Sequence, residues 1–197
     1  MGAAGHIAPA NFSCTCGRLT GHISPATPRS GTHLECYCKD CRAAQIFLGQ
    51  PDPSPRGVCL YQTTPDRITI VTGKEHLGLL RLSPNGLMRW YATCCNAPLF
   101  ITLARPRLPF VGIVTDRLEN PALIGPVITH SFVPNPKDGR PRHKGAAVMA
   151  WRFLSRLLAS RLSGQWRQTP FFDIATGEPV AAPRILTKDE RKAATRG

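Results

Sequence analysis

The sequence predicts a mainly β domain followed by one amphipathic helix. Short stretches rich in β-branched and aromatic residues recur about every eight to twelve residues, with turn residues between them. The Asn85-Gly86 pair, which separates two apolar stretches, is typical of a β-hairpin turn. Apolar residues recur convincingly at helical spacing within residues 145–163. Together these three observations favour an all-β core with a C-terminal amphipathic helix.

Composition is that of a folded domain with a strong basic bias. The chain has 197 residues, of which 42% are hydrophobic, enough for a core. Its 25 lysines and arginines against 12 acids give a formal net charge of +13, which favours acidic partners such as nucleic acid, anionic lipid or an anionic small molecule. No apolar run approaches the roughly 18 residues of a membrane span, and residues 1–10 lack a basic signal region. We therefore expect a cytoplasmic protein without a transmembrane segment.

The predicted elements begin after a flexible N-terminus at residues 1–10. Residues 42–49 are predicted to form one or two helical turns that end at a glycine. Residues 67–73 give the strongest strand signal because they alternate and are β-branched. The remaining strands are expected within 12–23, 58–61, 77–82, 87–91 and 106–115.

Residues 11–125 are expected to form the main domain and residues 126–197 a basic extension. Within 137–167 there are eight lysines and arginines and one acid. The expected helix carries an apolar face and an arginine face, and we expect the apolar face to pack on the sheet. The alternative is that the arginines contact nucleic acid phosphate or an anionic membrane. Residues after Pro170 are expected to be mostly loop and the last ten to be frayed. The apolar face of the expected helix consists of Val148, Trp151, Leu154, Leu158 and Leu162. Its arginine face consists of Arg152, Arg156 and Arg161.

Three of the eight cysteines lie within six residues, at Cys36, Cys38 and Cys41. A disulfide between Cys36 and Cys38 would be strained, whereas a metal ion accepts thiolates at this spacing. Three protein ligands are typical of a catalytic zinc that keeps one position open. The alternative is a structural site completed by a fourth ligand elsewhere.

The other cysteines suggest a second site. Cys14 and Cys16, together with Cys94 and Cys95, have the composition of a four-thiolate structural site joined from two hairpins. Because adjacent residues reach one ion only from a twisted backbone, this site is expected to be distorted or three-coordinate. Cys59 has no neighbouring partner and is interpreted as a small buried apolar residue.

The order of seven cysteines resembles the glutathione-dependent formaldehyde-activating enzyme (GFA) and centromere protein V-like family, of the Mss4-like superfamily. The matching segments, which span about residues 11–115, are Cys14-Thr15-Cys16-Gly17, Cys36-Tyr37-Cys38-Lys39-Asp40-Cys41-Arg42 and Cys94-Cys95-Asn96-Ala97-Pro98-Leu99-Phe100. The chain departs from the family where Ala92 stands in place of a cysteine and Asn96 in place of a glycine. Asn96 tolerates the positive φ that a glycine there would supply.

The resemblance implies an Mss4-like β-tent of antiparallel sheets around zinc. It implies a structural zinc at Cys14, Cys16, Cys94 and Cys95, and a second, catalytic zinc at Cys36, Cys38 and Cys41. The implied activity is that of a carbon–sulfur lyase of the S-(hydroxymethyl)glutathione synthase type, with glutathione or another small thiol as partner. The alternative is a non-catalytic zinc protein whose basic helix contacts nucleic acid or another acidic partner.

Two further expectations concern charges near the central cysteines. A fourth thiolate on a three-thiolate zinc needs nearby cations, and Lys39 and Arg42 are the closest in sequence. Both residues are also typical of solvated surface positions, and we favour that interpretation for Lys39. His33 precedes the motif and is interpreted as a polar loop residue rather than a ligand.

Overall fold

A computed structural model describes residues 8–195, which form twelve β-strands and three α-helices. The helices are α1 Lys39–Phe47, α2 Ala146–Leu162 and α3 Lys188–Thr195. The strands are β1 Ala10–Ser13, β2 Thr20–Ile23, β3 Thr32–Cys36, β4 Val58–Thr63, β5 Ile68–Thr72, β6 Leu77–Arg81, β7 Met88–Ala92, β8 Ala97–Thr102, β9 Val111–Val114, β10 Thr129–Val133, β11 Arg142–Lys144 and β12 Pro183–Ile185.

The strands form two sheets, so the expectation of a mainly β fold is confirmed. The small sheet has the order β1-β2-β5, and the large sheet runs β11-β10-β3-β4-β9-β8-β7-β6-β12. Most neighbours are antiparallel, but β10 lies parallel to β3 and β12 lies parallel to β6. Both parallel strands lie beyond residue 128 of the chain. They pair with strands that lie much earlier in the sequence.

An aromatic cluster joins the two sheets. Phe12 of the small sheet meets Phe100 of the large sheet edge to face, with ring centroids 5.1 Å apart. Phe171 packs against both Phe100 and Trp90 at the same centroid distance. All four side chains are fully buried. Because Phe171 belongs to this core, residues far beyond 125 help to hold the main sheets together.

Helix α2 has the predicted extent but the opposite orientation. The apolar residues predicted to pack on the sheet face solvent instead, with 73% of Trp151 and 57% of Leu158 exposed. The arginine face lies against the protein: Arg152 donates to the carbonyls of Pro28 and Gly31 at 2.9 and 3.1 Å. The expectation that the helix caps the sheet through its apolar face was therefore wrong.

The remaining differences lie mainly near the C-terminus. Strands β3, β8, β10, β11 and β12 were not predicted; β11 and β12 are only three residues long, and β8 carries Pro98. The last ten residues were predicted to fray, yet α3 forms there and buries Ala194. Of the predicted flexible N-terminus, residues 1–7 lie outside the described range, and Ala10 is already a buried residue of β1. Between residues 8 and 195, no helix has both the length and the apolar character to cross a bilayer.

Candidate metal centres and an adjoining cleft

The structure brings Cys36, Cys38 and Cys41 together at the junction of β3 and α1. Their three sulfurs lie within 4.8 Å of one another, and we call them the three-thiol cluster. Cys36 ends β3, Cys38 is the N-cap of α1, and Cys41 lies in its first turn. The Cys38 sulfur accepts a hydrogen bond from the Cys41 backbone N–H at 3.3 Å. A helix N-terminus stabilises negative charge, but in this cluster only Cys41 has a lowered pKa, because hydrogen bonding with the neighbouring thiols and burial raise the pKa of Cys36.

Strand β10 holds the loop between these cysteines in place. Ser131 is the register partner of Cys36, and its carbonyl accepts the backbone N–H of Tyr37 at 2.9 Å. The cluster is also packed among apolar side chains, including Leu34, Val58 and Ile101. Cys36 and Cys41 are therefore buried among apolar side chains, whereas Cys38 is only partly buried.

A buried arginine lies beside the cluster. Arg89 of β7 is only 5% exposed, and its Nη1 lies 3.8 Å from the Cys41 sulfur. Hydrogen bonds from the Cys36 and Cys38 thiols, together with the charge of Arg89, hold the pKa of Cys41 well below its usual range. The guanidinium therefore offsets negative charge on the thiols from inside the protein.

The cations nearest in sequence have other positions. Arg42 forms two hydrogen bonds to Asp52, at 2.7 and 2.5 Å, so its charge is already paired. Lys39 is exposed and lines a cleft beside Cys38. His33 bonds through Nδ1 to the Gly125 carbonyl at 2.7 Å and is not part of either cysteine cluster. Sequence reasoning missed Arg89, whose available signal was a charged residue within the apolar strand 88–92.

Four further cysteines form a second group, the four-thiol cluster of Cys14, Cys16, Cys94 and Cys95. The measured sulfur–sulfur distances are 3.6 Å for 14–16, 3.8 Å for 14–94, 3.2 Å for 16–94 and 4.0 Å for 94–95. These lie near the edge of about 3.8 Å expected for four sulfurs around zinc, and far from a disulfide bond of about 2.05 Å. All four cysteines are free. The set could hold a metal ion.

The backbone turns that carry this cluster explain how adjacent cysteines reach it. Gly17, with φ +76°, turns the chain back after Cys16. On the other side Asn96 has φ +55° in the turn from β7 to β8, as its tolerance of positive φ suggested. This twisted turn lets both neighbouring thiols point to one place. The cluster lies where the β1–β2 turn of the small sheet meets the β7–β8 turn of the large sheet.

Cys59 belongs to neither cluster. It is partly buried in β4, opposite Glu35 of β3, and burial raises the pKa of its thiol. Its position agrees with an ordinary strand residue rather than a metal ligand.

The three-thiol cluster borders an open cleft of about 860 Å³. Cys38 is the member of the cluster that lines it. The cleft wall opposite α1 is built by the end of β10 and the turn that follows it. The lining consists of Tyr37, Cys38, Lys39, Asp40, Leu87, Arg89, Phe132, Pro134, Asn135, Pro136, Gly139 and Pro141.

Comparisons with known proteins give one family and a remote structural neighbour. A family model described as a family of unknown function (DUF6151) matches residues 6–183. No curated protein sequence matches this chain. Among solved structures, the crystal structure of a Rhodobacter sphaeroides protein aligns with a TM-score of 0.41 at 17% identity, over 59% of this chain and 96% of that one.

Proposed function

The chain belongs to the DUF6151 family of unknown function, and we propose that its three-thiol cluster holds a zinc ion with an open position facing the cleft. The proposed activity is that of a carbon–sulfur lyase acting on the adduct of a small thiol and an aldehyde, as the GFA-like cysteine motifs suggest. The observation that carries the proposal is the exposure of Cys38, alone among the three thiols, to the cleft.

The donor set fits a zinc ion. All three sulfurs are free thiols within 4.8 Å of one another, and sulfur is a preferred zinc ligand. Among residues 8–195 no fourth cysteine, histidine or carboxylate joins this group. Three protein ligands leave a position for an external ligand, as in catalytic zinc sites. When bound, zinc would stabilise an external thiol as its thiolate.

The protein's own residues would supply orientation and charge balance. Arg89, at 3.8 Å from the Cys41 sulfur, offsets the negative charge of the ligand thiolates. The first turn of α1 adds its positive dipole end on the same side. Lys39 stands at the cleft, where it would attract an incoming anionic group.

The reaction requires only a proton and an electron pair to move. In a thiol–aldehyde adduct the carbon–sulfur bond breaks, and its electron pair stays on sulfur. The adduct hydroxyl loses its proton to solvent as the carbonyl forms, so atoms and charges balance. The reverse direction joins thiol and aldehyde. Because a catalyst leaves the equilibrium unchanged, the same site would accelerate both directions.

We propose that the four-thiol cluster holds a structural zinc. Four thiolates complete its coordination and leave no place for a substrate. Two sheets joined at this cluster agree with an Mss4-like β-tent. The alternative function, nucleic acid binding by α2, is less favoured because Arg152 and Arg156 donate to protein acceptors rather than pointing to solvent.

The test compares Cys38→Ser with Cys59→Ser in zinc-loaded protein. Zinc analysis of the parent protein should find one ion for each cluster. Cys38→Ser should lose one of them and keep its fold by circular dichroism, because the four-thiol cluster is separate. Exchange between glutathione and ¹³C-formaldehyde, followed by NMR, should fall to the uncatalysed rate.

Cys59→Ser is the matched control, since it also removes a thiol but lies outside both clusters. It should keep both ions and the full exchange rate. The proposal fails if Cys38→Ser keeps both ions, or if the parent protein accelerates no exchange with glutathione or with 2-phenylethanethiol.

A further inference from the structure

We propose that the cleft beside Cys38 selects thiols with an apolar aromatic or alkyl body over peptide thiols such as glutathione. This inference rests on the proposed function, because it assumes that an external sulfur reaches the open position of the three-thiol cluster. It goes further by naming the part of the ligand that the protein recognises.

Apolar side chains dominate the cleft wall. Leu87, Phe132 and three prolines line it. Leu87 is 40% exposed and Phe132 is 44% exposed, so both offer surface that a ligand would cover. Small-molecule sites are concave, mostly apolar and of about 300–1,000 Å³, and this cleft falls within that range.

Most polar groups in the cleft already have partners. Asp40 forms an ion pair with Arg191 at 3.2 Å, and Arg89 lies against the Cys41 sulfur. Asn135 donates to Asp138 and accepts the backbone N–H of Lys137, both within its own turn. Lys39 is the cleft cation that makes no ion pair or side-chain hydrogen bond among residues 8–195.

This distribution is poorly suited to glutathione. Glutathione brings two carboxylates, an ammonium group and two amides, and each loses its water on entering a cavity. One free lysine can match one of these charges, and the apolar wall can match none of the amides. An apolar body needs no partners and gains from leaving water. One anionic group near Lys39 is compatible with such a ligand.

The apolar surface continues beyond the cleft. Leu87 also lines a smaller cavity of about 270 Å³ beneath α2, together with Leu103, Phe110 and Phe153. Phe110 and Phe153 pack edge to face with centroids 5.7 Å apart. Leu87 therefore borders two apolar surfaces, the cleft and this cavity.

The backbone at Phe132 places an aromatic side chain at the cleft at a conformational cost. Its φ is +59°, which is uncommon for a bulky residue. Strained residues of this kind cluster at binding sites, where the surroundings hold them in place. Here the ring packs against His143 of β11, with centroids 4.7 Å apart.

The test measures thiol binding to protein carrying Co²⁺ in place of zinc. Thiolate-to-cobalt absorption reports sulfur binding, and calorimetry gives the affinity. Three probes are used: 2-phenylethanethiol, glutathione and 2-mercaptoethanol. We expect 2-phenylethanethiol to bind at least about tenfold more tightly than the other two, which matches burial of one aromatic ring.

Leu87→Ser should weaken 2-phenylethanethiol binding about tenfold and leave 2-mercaptoethanol binding unchanged. Leu108→Ser is the matched control, because Leu108 is 39% exposed and does not line the cleft. It should change neither affinity.

Two failures are distinguishable. If none of the three thiols changes the cobalt spectrum, the proposed open metal position is wrong, and the selectivity fails with it. If all three change the spectrum but glutathione binds as tightly as 2-phenylethanethiol, the metal site stands and the apolar selectivity is wrong. The same conclusion follows if Leu87→Ser and Leu108→Ser behave alike.

Discussion

At the scale of single residues, the buried guanidinium of Arg89 decides how much negative charge the three-thiol cluster can carry. Three thiolates around a divalent ion leave a net charge of about −1. Arg89 lies 3.8 Å from the Cys41 sulfur and is nearly inaccessible to water, so salt and solvent screen it little. Lys39 and Arg42 are the cations nearest to the cysteines in sequence, but neither can replace the charge of Arg89. Lys39 lies at the rim of the cleft, and Arg42 is already paired with Asp52.

Arg89→Met is therefore expected to lower metal affinity at the three-thiol cluster by about 10- to 100-fold, as removal of a supporting partner does at other metal sites. Methionine keeps much of the side-chain volume, so the loss reports charge rather than packing. Competition against a chelator, followed by Co²⁺ absorption, measures it. Arg81→Met in the neighbouring strand β6 is the control, because Arg81 donates to the Gly86 carbonyl and to no thiol. Equal losses in the two variants would contradict this role.

At the scale of elements, α2 shows how a correct helix prediction can give the wrong face. Its periodicity marks an apolar stripe, and burial of that stripe is the usual outcome. In this chain the arginine face donates hydrogen bonds to backbone carbonyls and to a threonine hydroxyl. Those acceptors belong to the loop 28–31 and to Thr32 at the start of β3, and no periodic pattern in the sequence marks them.

The two faces of α2 give a direct stability test. Arg152→Ala removes hydrogen bonds to the Pro28 and Gly31 carbonyls and should lower the free energy of unfolding by about 1.5–3 kcal/mol. Leu158→Ala removes a mostly exposed side chain and should change it by no more than about 0.5 kcal/mol. Urea denaturation of the two metal-loaded variants measures both. The opposite ranking would mean that the apolar stripe is covered in solution.

Prediction from sequence succeeded where the signal was local. The strand 67–73, the turn at Asn85-Gly86 and the helical turns after Cys41 each follow from residues a few positions apart. The parallel strands β10 and β12 were missed because their partners, β3 and β6, lie about 95 to 105 residues earlier. The cleft was missed for the same reason, since Phe132 and Cys38 meet only through the β10–β3 pairing.

At the scale of the whole molecule, the four-thiol cluster ties the small sheet to the large one. Cys14 and Cys16 belong to the β1–β2 turn, and Cys94 and Cys95 to the β7–β8 turn. Apart from this cluster, the packing of Phe12 on Phe100 joins the same two sheets. A metal ion there would fix the orientation of one sheet relative to the other.

Cys16→Ser is therefore expected to loosen the small sheet selectively. Hydrogen exchange should become faster in β1, β2 and β5, while β3, β4 and β9 at the centre of the large sheet keep their protection. Mass spectrometry of metal-loaded protein resolves these segments. Cys59→Ser serves again as a control and should leave both sheets protected. A uniform change across both sheets would contradict a joint between them.

The order of strands in the large sheet has a consequence for biosynthesis. Both of its edges, β11 and β12, are exposed strands of three residues that carry basic residues or proline, features that discourage pairing with other chains. Both are also made late. Until residues 183–185 have been synthesised, the apolar strand β6 has an open edge, and β3 stays open until β10 follows. A chain that ends at Ala182 would keep its cysteines and its aromatic core, but Asp40 in the cleft would lose its Arg191 partner and the edge of β6 would stay exposed to aggregation.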